Sequence, residues 1–202
     1  MQSKISLKCL FSTVSVAGIV FSLVIILFLT FYLPVQSSFT QTTSSIHGTS
    51  SGLPVRLKIP KINVDAAFEY VGLVPNGAMG APKGPTHVAW FDLGPRPGEK
   101  GSSVVDGHFG WQNNIPAAFD NLDKLRKGDK LYVEDDKGTT TIFVVRELRA
   151  YGKNDDSSSV FRSSDGKSHL NLITCDGVWN ETEQSYSDRL VVFTDKETEG
   201  PL

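Results

Sequence analysis

Cysteine is nearly absent from this 202-residue sequence, which has only Cys9 and Cys175. No Cys-x-x-Cys pair occurs, and this removes zinc-ribbon and dithiol redox chemistry. A P-loop and a dinucleotide-binding glycine pattern are also missing. Positive charge is not in excess: 20 Lys and Arg stand against 22 Asp and Glu, for a formal net charge of −2. Such a balance offers no electrostatic footprint for nucleic acid, so no nucleic-acid partner is expected. The acidic pairs Asp135-Asp136 and Asp155-Asp156 lack EF-hand spacing, and the expectation is no metal and no cofactor.

Charge vanishes altogether from two N-terminal stretches. Cys9 to Leu33 is 25 residues without a charge, rich in Val, Ile, Leu and Phe. About 20 apolar residues suffice to cross a bilayer. Lys4 and Lys8 precede the run and no further Lys or Arg follows until Arg56, so the positive-inside rule leaves the N-terminus cytoplasmic. The run is longer than a signal-peptide core and ends in a poor cleavage site. The expected organisation is a cytoplasmic N-terminus (1–8), a transmembrane signal anchor (9–33), a flexible Ser/Thr-rich linker (34–53) and an extracellular domain (54–202). The expected localisation is the cell membrane, single-pass. The linker has ten Ser or Thr and no charge, a composition that cannot bury enough apolar surface to offset its ordering entropy.

From Pro54 the texture is that of a mainly β domain. Arg56-Leu57-Lys58-Ile59 alternates, and further β-like runs lie at Ala67 to Val71, Thr86 to Trp90, Ser102 to Val105, Lys130 to Glu134, Thr139 to Tyr151, Leu170 to Thr174 and Leu190 to Thr194. Turn signals such as Pro75-Asn76-Gly77 and Asp136-Lys137-Gly138 separate them. Many short strands in one domain argue for a sandwich or a closed barrel. One helix is expected over Pro116 to Leu125, where Ala118, Phe119, Leu122 and Leu125 share a side. A single turn is expected at Ser158 to Phe161.

Cys175 ends the apolar run Leu170 to Thr174, and Arg189 opens the run Leu190 to Phe193. A lone cysteine usually packs as a small hydrophobe. Outside the cell an unpaired one is an oxidation liability, which raises the weight of a chemical role. If the two runs are neighbouring strands, thiol and guanidinium meet at one rim, with the polar stretch 176–188 connecting them. A fixed cation there can lower a thiol's pKa or hold an oxyanion. The proton carrier expected is His108, which ends a β-branched run through Gly107 and so sits on a loop at a strand end. His87 lies mid-strand and is the rival. His169 is six residues from Cys175 along one strand, about 20 Å at 3.3 Å per residue. Asp106 and Asp176 sit beside glycines, where aspartate is common in turns, and neither is assigned a role.

These residues carry a resemblance. Arg56-Leu57-Lys58-Ile59-Pro60-Lys61-Ile62, Gly94-Pro95-Arg96-Pro97-Gly98-Glu99, Val105-Asp106-Gly107-His108, Leu172-Ile173-Thr174-Cys175 and Arg189-Leu190-Val191-Val192 are similar to the sortases, membrane-anchored cysteine transpeptidases of mainly Gram-positive bacteria. The Gly-Pro-Arg-Pro-Gly-Glu loop and Thr174-Cys175-Asp176-Gly177 most resemble the class E/F groups. The resemblance implies a closed eight-stranded barrel with one or two short helices. It also implies His108, Cys175 and Arg189 as catalytic residues. The implied substrate is a surface protein bearing a Leu-Pro-x-Thr-Gly-like motif, cleaved through a thioacyl enzyme. The implied acceptor is an amine of a cell-wall precursor or a pilin. The alternatives are a cell-surface cysteine peptidase or amidase, and a tethered β-barrel binding module in which Cys175 is incidental.

Overall fold

The computed structural model describes residues 51–111, 113 and 115–198. Its strands are β1 (Pro54–Ile59), β2 (Val64–Val71), β3 (Val88–Phe91), β4 (Gly101–Gly107), β5 (Lys130–Asp135), β6 (Thr140–Gly152), β7 (Ser168–Asn180) and β8 (Ser185–Lys196); the helix α1 (Ser158–Phe161) lies between β6 and β7. They close in the order β1-β2-β3-β4-β7-β8-β6-β5. Pairing of β1 with β5 completes the ring, so the barrel leaves no open edge. β2 with β3 and β4 with β7 are the parallel pairs, and the remaining neighbours are antiparallel. The expected eight-stranded barrel is therefore the fold.

Alternation selects the inside. Leu57 and Ile59 of β1, Leu131 and Val133 of β5, Leu170 and Leu172 of β7 and Val192 of β8 fill the barrel. A second apolar cluster covers the outer face of β4, β7 and β8: Val104, Val191 and Phe193 pack with Tyr151 and with Val160 of α1. Burial on both faces is why Leu190-Val191-Val192-Phe193 reads as an unbroken apolar run.

Several expectations change. Residues 116–125 form no α-helix; turns lead into a 3₁₀ turn at Leu122–Lys124. Phe119, Leu122 and Leu125 still enter the core. The Asp120 carboxylate accepts the Gly110 and Ala117 N–H groups, which fixes a loop geometry there instead of helical continuation. The polar stretch 176–188 is no long loop either: β7 and β8 continue as a hairpin beyond Cys175 and turn at 181–184.

The expected N-terminal transmembrane helix, and the single-pass membrane localisation built on it, are corrected. Among the described residues no helix is long and apolar enough to cross a membrane. The 9–33 segment and the 34–50 part of the linker lie outside the described residues. The fold stands on the barrel alone.

Candidate active site

β4 and β7 run parallel, and β4 ends beside the middle of β7, with Asp106 beside Ile173. The Thr174 hydroxyl, buried, donates to the Gly107 carbonyl at 2.7 Å and ties the end of β4 to β7. The next residues along are His108 and Cys175. Gly107 is required here: a Cβ would collide with the Phe119 ring. The Phe119 N–H in turn donates to the His108 carbonyl at 3.1 Å, fixing the histidine's backbone. On the other side of β7, Cys175 pairs with Arg189 of β8.

Side chains two apart on a strand share a face. One row across the outer face of the sheet is Asp106, Ile173 and Val191. Next along, Cys175 pairs with Arg189, and His108 follows directly on the end of β4 at Gly107. All six residues line one groove of about 1240 Å³. Leu73, Met79, Phe91 and Phe161 add apolar walls, so the groove suits an extended chain with apolar side chains. Arg189 shares its parity with Val191 and Phe193, and that face is the groove floor, opposite to the barrel interior where Leu190 and Val192 point.

The Nε2 atom of His108 lies 2.7 Å from the Pro82 carbonyl oxygen. A carbonyl only accepts, so Nε2 carries the proton, and Nδ1 is the nitrogen left to exchange one. The ring also packs against Trp111, with centroids 4.6 Å apart. Phe109 stacks edge-on to Tyr186 at 5.6 Å, and Tyr186 to Trp179 at 5.2 Å, which braces the His108 segment against the β7–β8 hairpin. Arg189 Nη1 donates to the Tyr186 and Asp188 carbonyls at 3.1 and 2.8 Å. Among the described residues no hydrogen bond engages its Nε or Nη2.

Burial pushes the half-buried Cys175 thiol above its ordinary value; Arg189 pulls it down and Asp106 pushes it up again. Burial also pushes the Asp106 carboxyl up to about 6, against the opposing pull of His108 and Arg189. Treating Asp106 as a turn residue overlooks this: it lies within β4, and the β-branched Val104-Val105 immediately before it was the available signal.

The other histidines are elsewhere. His87 precedes β3, exposed, with Nδ1 3.0 Å from Glu69 Oε1. His169 is buried at the start of β7, with Nδ1 2.8 Å from Asp195 Oδ1 and Nε2 3.0 Å from Asp165 Oδ1. The acidic pairs serve turns: Asp135 accepts N–H groups of Gly52, Lys137 and Thr139, and Asp155 that of Gly152. Among the described residues no group of three or more His, Cys, Asp or Glu could hold a metal ion.

A family model described as Sortase domain matches residues 57–197. Among curated proteins no match is found. Among solved structures, sortase C-1 from Actinomyces oris is similar at 26% identity and a TM-score of 0.56, over 71% of this chain and 73% of that one. Sortase A from Corynebacterium diphtheriae is similar at 21% identity and a TM-score of 0.56, over 75% of this chain and 63% of that one. A Clostridium perfringens sortase D5 transpeptidase is similar at 20% identity and a TM-score of 0.53, over 73% of this chain and 79% of that one. At the two lower identities the likeness concerns the fold.

Proposed function

The chain belongs to the sortase family, and from that membership we propose that it is a cysteine transpeptidase whose nucleophile is Cys175. The observation that carries the reading is that His108, Cys175 and its strand partner Arg189 line one apolar-walled groove. The substrate is a surface protein bearing a Leu-Pro-x-Thr-Gly-like sorting motif, laid extended along the groove. The Cys175 proton passes to Nδ1 of His108 and the sulfur attacks the Thr carbonyl carbon. Arg189, which stays charged, donates hydrogen bonds to the oxyanion that forms. As the tetrahedral intermediate collapses, the C–N bond to Gly breaks and Nδ1–H protonates the departing amine. A thioester to Cys175 remains.

An amine of a cell-wall precursor or a pilin then attacks that carbonyl. His108 takes a proton from the amine, the C–S bond breaks, and the sulfur recovers the proton. Water in place of the amine gives hydrolysis. The Gly94-Pro95-Arg96-Pro97-Gly98-Glu99 loop and Thr174-Cys175-Asp176-Gly177 support a place near the class E/F sortases.

Turnover of a Leu-Pro-x-Thr-Gly peptide with a primary amine, followed by product mass, tests the assignment. Cys175→Ala abolishes turnover. His108→Ala lowers kcat/KM at least about a hundredfold, the lower end of what a positioned proton carrier contributes. His87→Ala stays within severalfold. A larger loss in His87→Ala than in His108→Ala would reverse the choice of histidine.

A further inference from the structure

The groove contains a charge that thioacyl formation does not use. Asp106 lies on β4 two residues before His108, lines the same groove, and has as strand neighbours Ile173 on β7 and uncharged Ala89 on β3. Cys175 is its diagonal neighbour, two residues past Ile173, about 8 Å away between Cα atoms from strand spacing and rise, which puts the carboxyl within a side chain's reach of the sulfur. Among the described residues, the charged or titratable groups that act on it are His108 just beyond its strand, Cys175 on β7 and Arg189 on β8. Arg189 is held by the Tyr186 and Asp188 carbonyls and His108 by the Pro82 carbonyl. Apart from the Gly107 N–H, no hydrogen bond or ion pair among the described residues engages Asp106, so its oxygens keep acceptor capacity toward the groove.

A negative charge here works against the first half of the reaction, because it opposes ionisation of the thiol beside it. In the second half the sulfur is tied up in a neutral thioester and that objection disappears. What then enters the groove is a primary amine, which in water is an ammonium ion. A carboxylate beside the thioester is the charge that step calls for.

We propose that Asp106 is the acceptor-binding residue: its carboxylate takes the ammonium of the incoming primary amine and holds it beside the acyl carbon. The proposal rests on Cys175 forming the thioacyl enzyme. One ammonium proton leaves to solvent by way of the carboxylate. As the N–C bond forms, a second moves to Nδ1 of His108, the C–S bond breaks, and the thiolate recovers that proton. The balance is ammonium plus thioester giving amide, free thiol and one proton. The acceptor selected is a cation with an unhindered primary amine, and neutral nucleophiles gain nothing from Asp106.

Two half-reactions, measured separately in the full chain, test this. Thioacyl formation is followed by intact mass with a Leu-Pro-x-Thr-Gly peptide. Acyl transfer is followed with methylamine as the cationic acceptor, and with hydroxylamine, neutral at the working pH, as the uncharged one. Asp106→Asn raises the half-saturating methylamine concentration about tenfold or more, the loss expected for one charge-assisted contact, and lowers the aminolysis-to-hydrolysis ratio to match. Transfer to hydroxylamine does not fall with it. Thioacyl formation is as fast as in wild type or faster. Asp106→Glu, which keeps the charge, recovers most of the methylamine preference. Equal losses with both acceptors, an unchanged methylamine dependence, or slower thioacyl formation in Asp106→Asn would each overturn the proposal. Absence of any thioacyl adduct in wild type removes the reading beneath it, and the proposal falls with it.

Discussion

At Gly107 the Phe119 ring occupies the space a side chain would need, and the strand end that results presents His108 to the groove. Glycine before histidine was legible in sequence as a strand end; the ring that demands it was not, because Phe119 lies a dozen residues away in the chain. Arg189 was legible by parity with Val191 and Phe193. Its guanidinium is anchored through Nη1 to two carbonyls, and among the described residues no hydrogen bond engages its other nitrogens. A lysine ammonium cannot reproduce that planar fork. Arg189→Lys is expected to lower kcat/KM about tenfold or more with the far-UV circular dichroism unchanged. Near-wild-type activity would take the guanidinium out of the chemistry.

Among elements, β7 and β8 each carry a buried threonine whose hydroxyl donates to the backbone carbonyl of a neighbouring strand. Thr174 Oγ1 donates to the Gly107 carbonyl at 2.7 Å, and Thr194 Oγ1 on β8 donates to the Leu170 carbonyl at 2.7 Å. Replacing either by Val leaves a carbonyl short of a donor, a change of about 1–3 kcal/mol. Urea denaturation should therefore place Thr174→Val and Thr194→Val at similar stabilities. Only Thr174→Val should also lose kcat, because its bond ties the backbone just before His108 to the backbone just before Cys175. Equal kcat in the two variants would separate that tie from catalysis. The strands inside the barrel were legible from alternation. The outer half of the β7–β8 hairpin was not: it projects past the core, and backbone pairing holds its polar residues in strands without an apolar signature. The missing helix at 116–125 has the reverse cause. Its apolar spacing was real, yet the three side chains reach the core from turns.

For the whole molecule, barrel closure and the groove on its outer face follow from which strands pair, and only the apolar run at 190–193 hinted that β8 is covered on both sides. The parallel β4–β7 pairing had no sequence signal, since its partners are about 70 residues apart. Away from the groove, His169 sits between Asp165 and Asp195, joining the start of β7 to the end of β8. The hydrogen bond from His169, with those from Lys167 and Ser163, holds Asp165 well below the usual carboxylate range. A carboxylate with a depressed pKa adds stability that is fully present above its unfolded value of about 4 and is lost as pH falls below it. His169→Gln should lower Tm near pH 6 and flatten the loss of Tm between about pH 4 and pH 2. An acid limb identical to wild type would exclude that bond as its source. The central claim concerns the sulfur of Cys175, and intact-mass spectrometry after brief mixing with a Leu-Pro-x-Thr-Gly peptide, followed by peptide mapping, tests it most directly. The expected result is one adduct with the mass of the acyl fragment ending in Thr, located on Cys175, sensitive to hydroxylamine and absent in Cys175→Ala. Peptide cleavage by Cys175→Ala at the wild-type rate would contradict it.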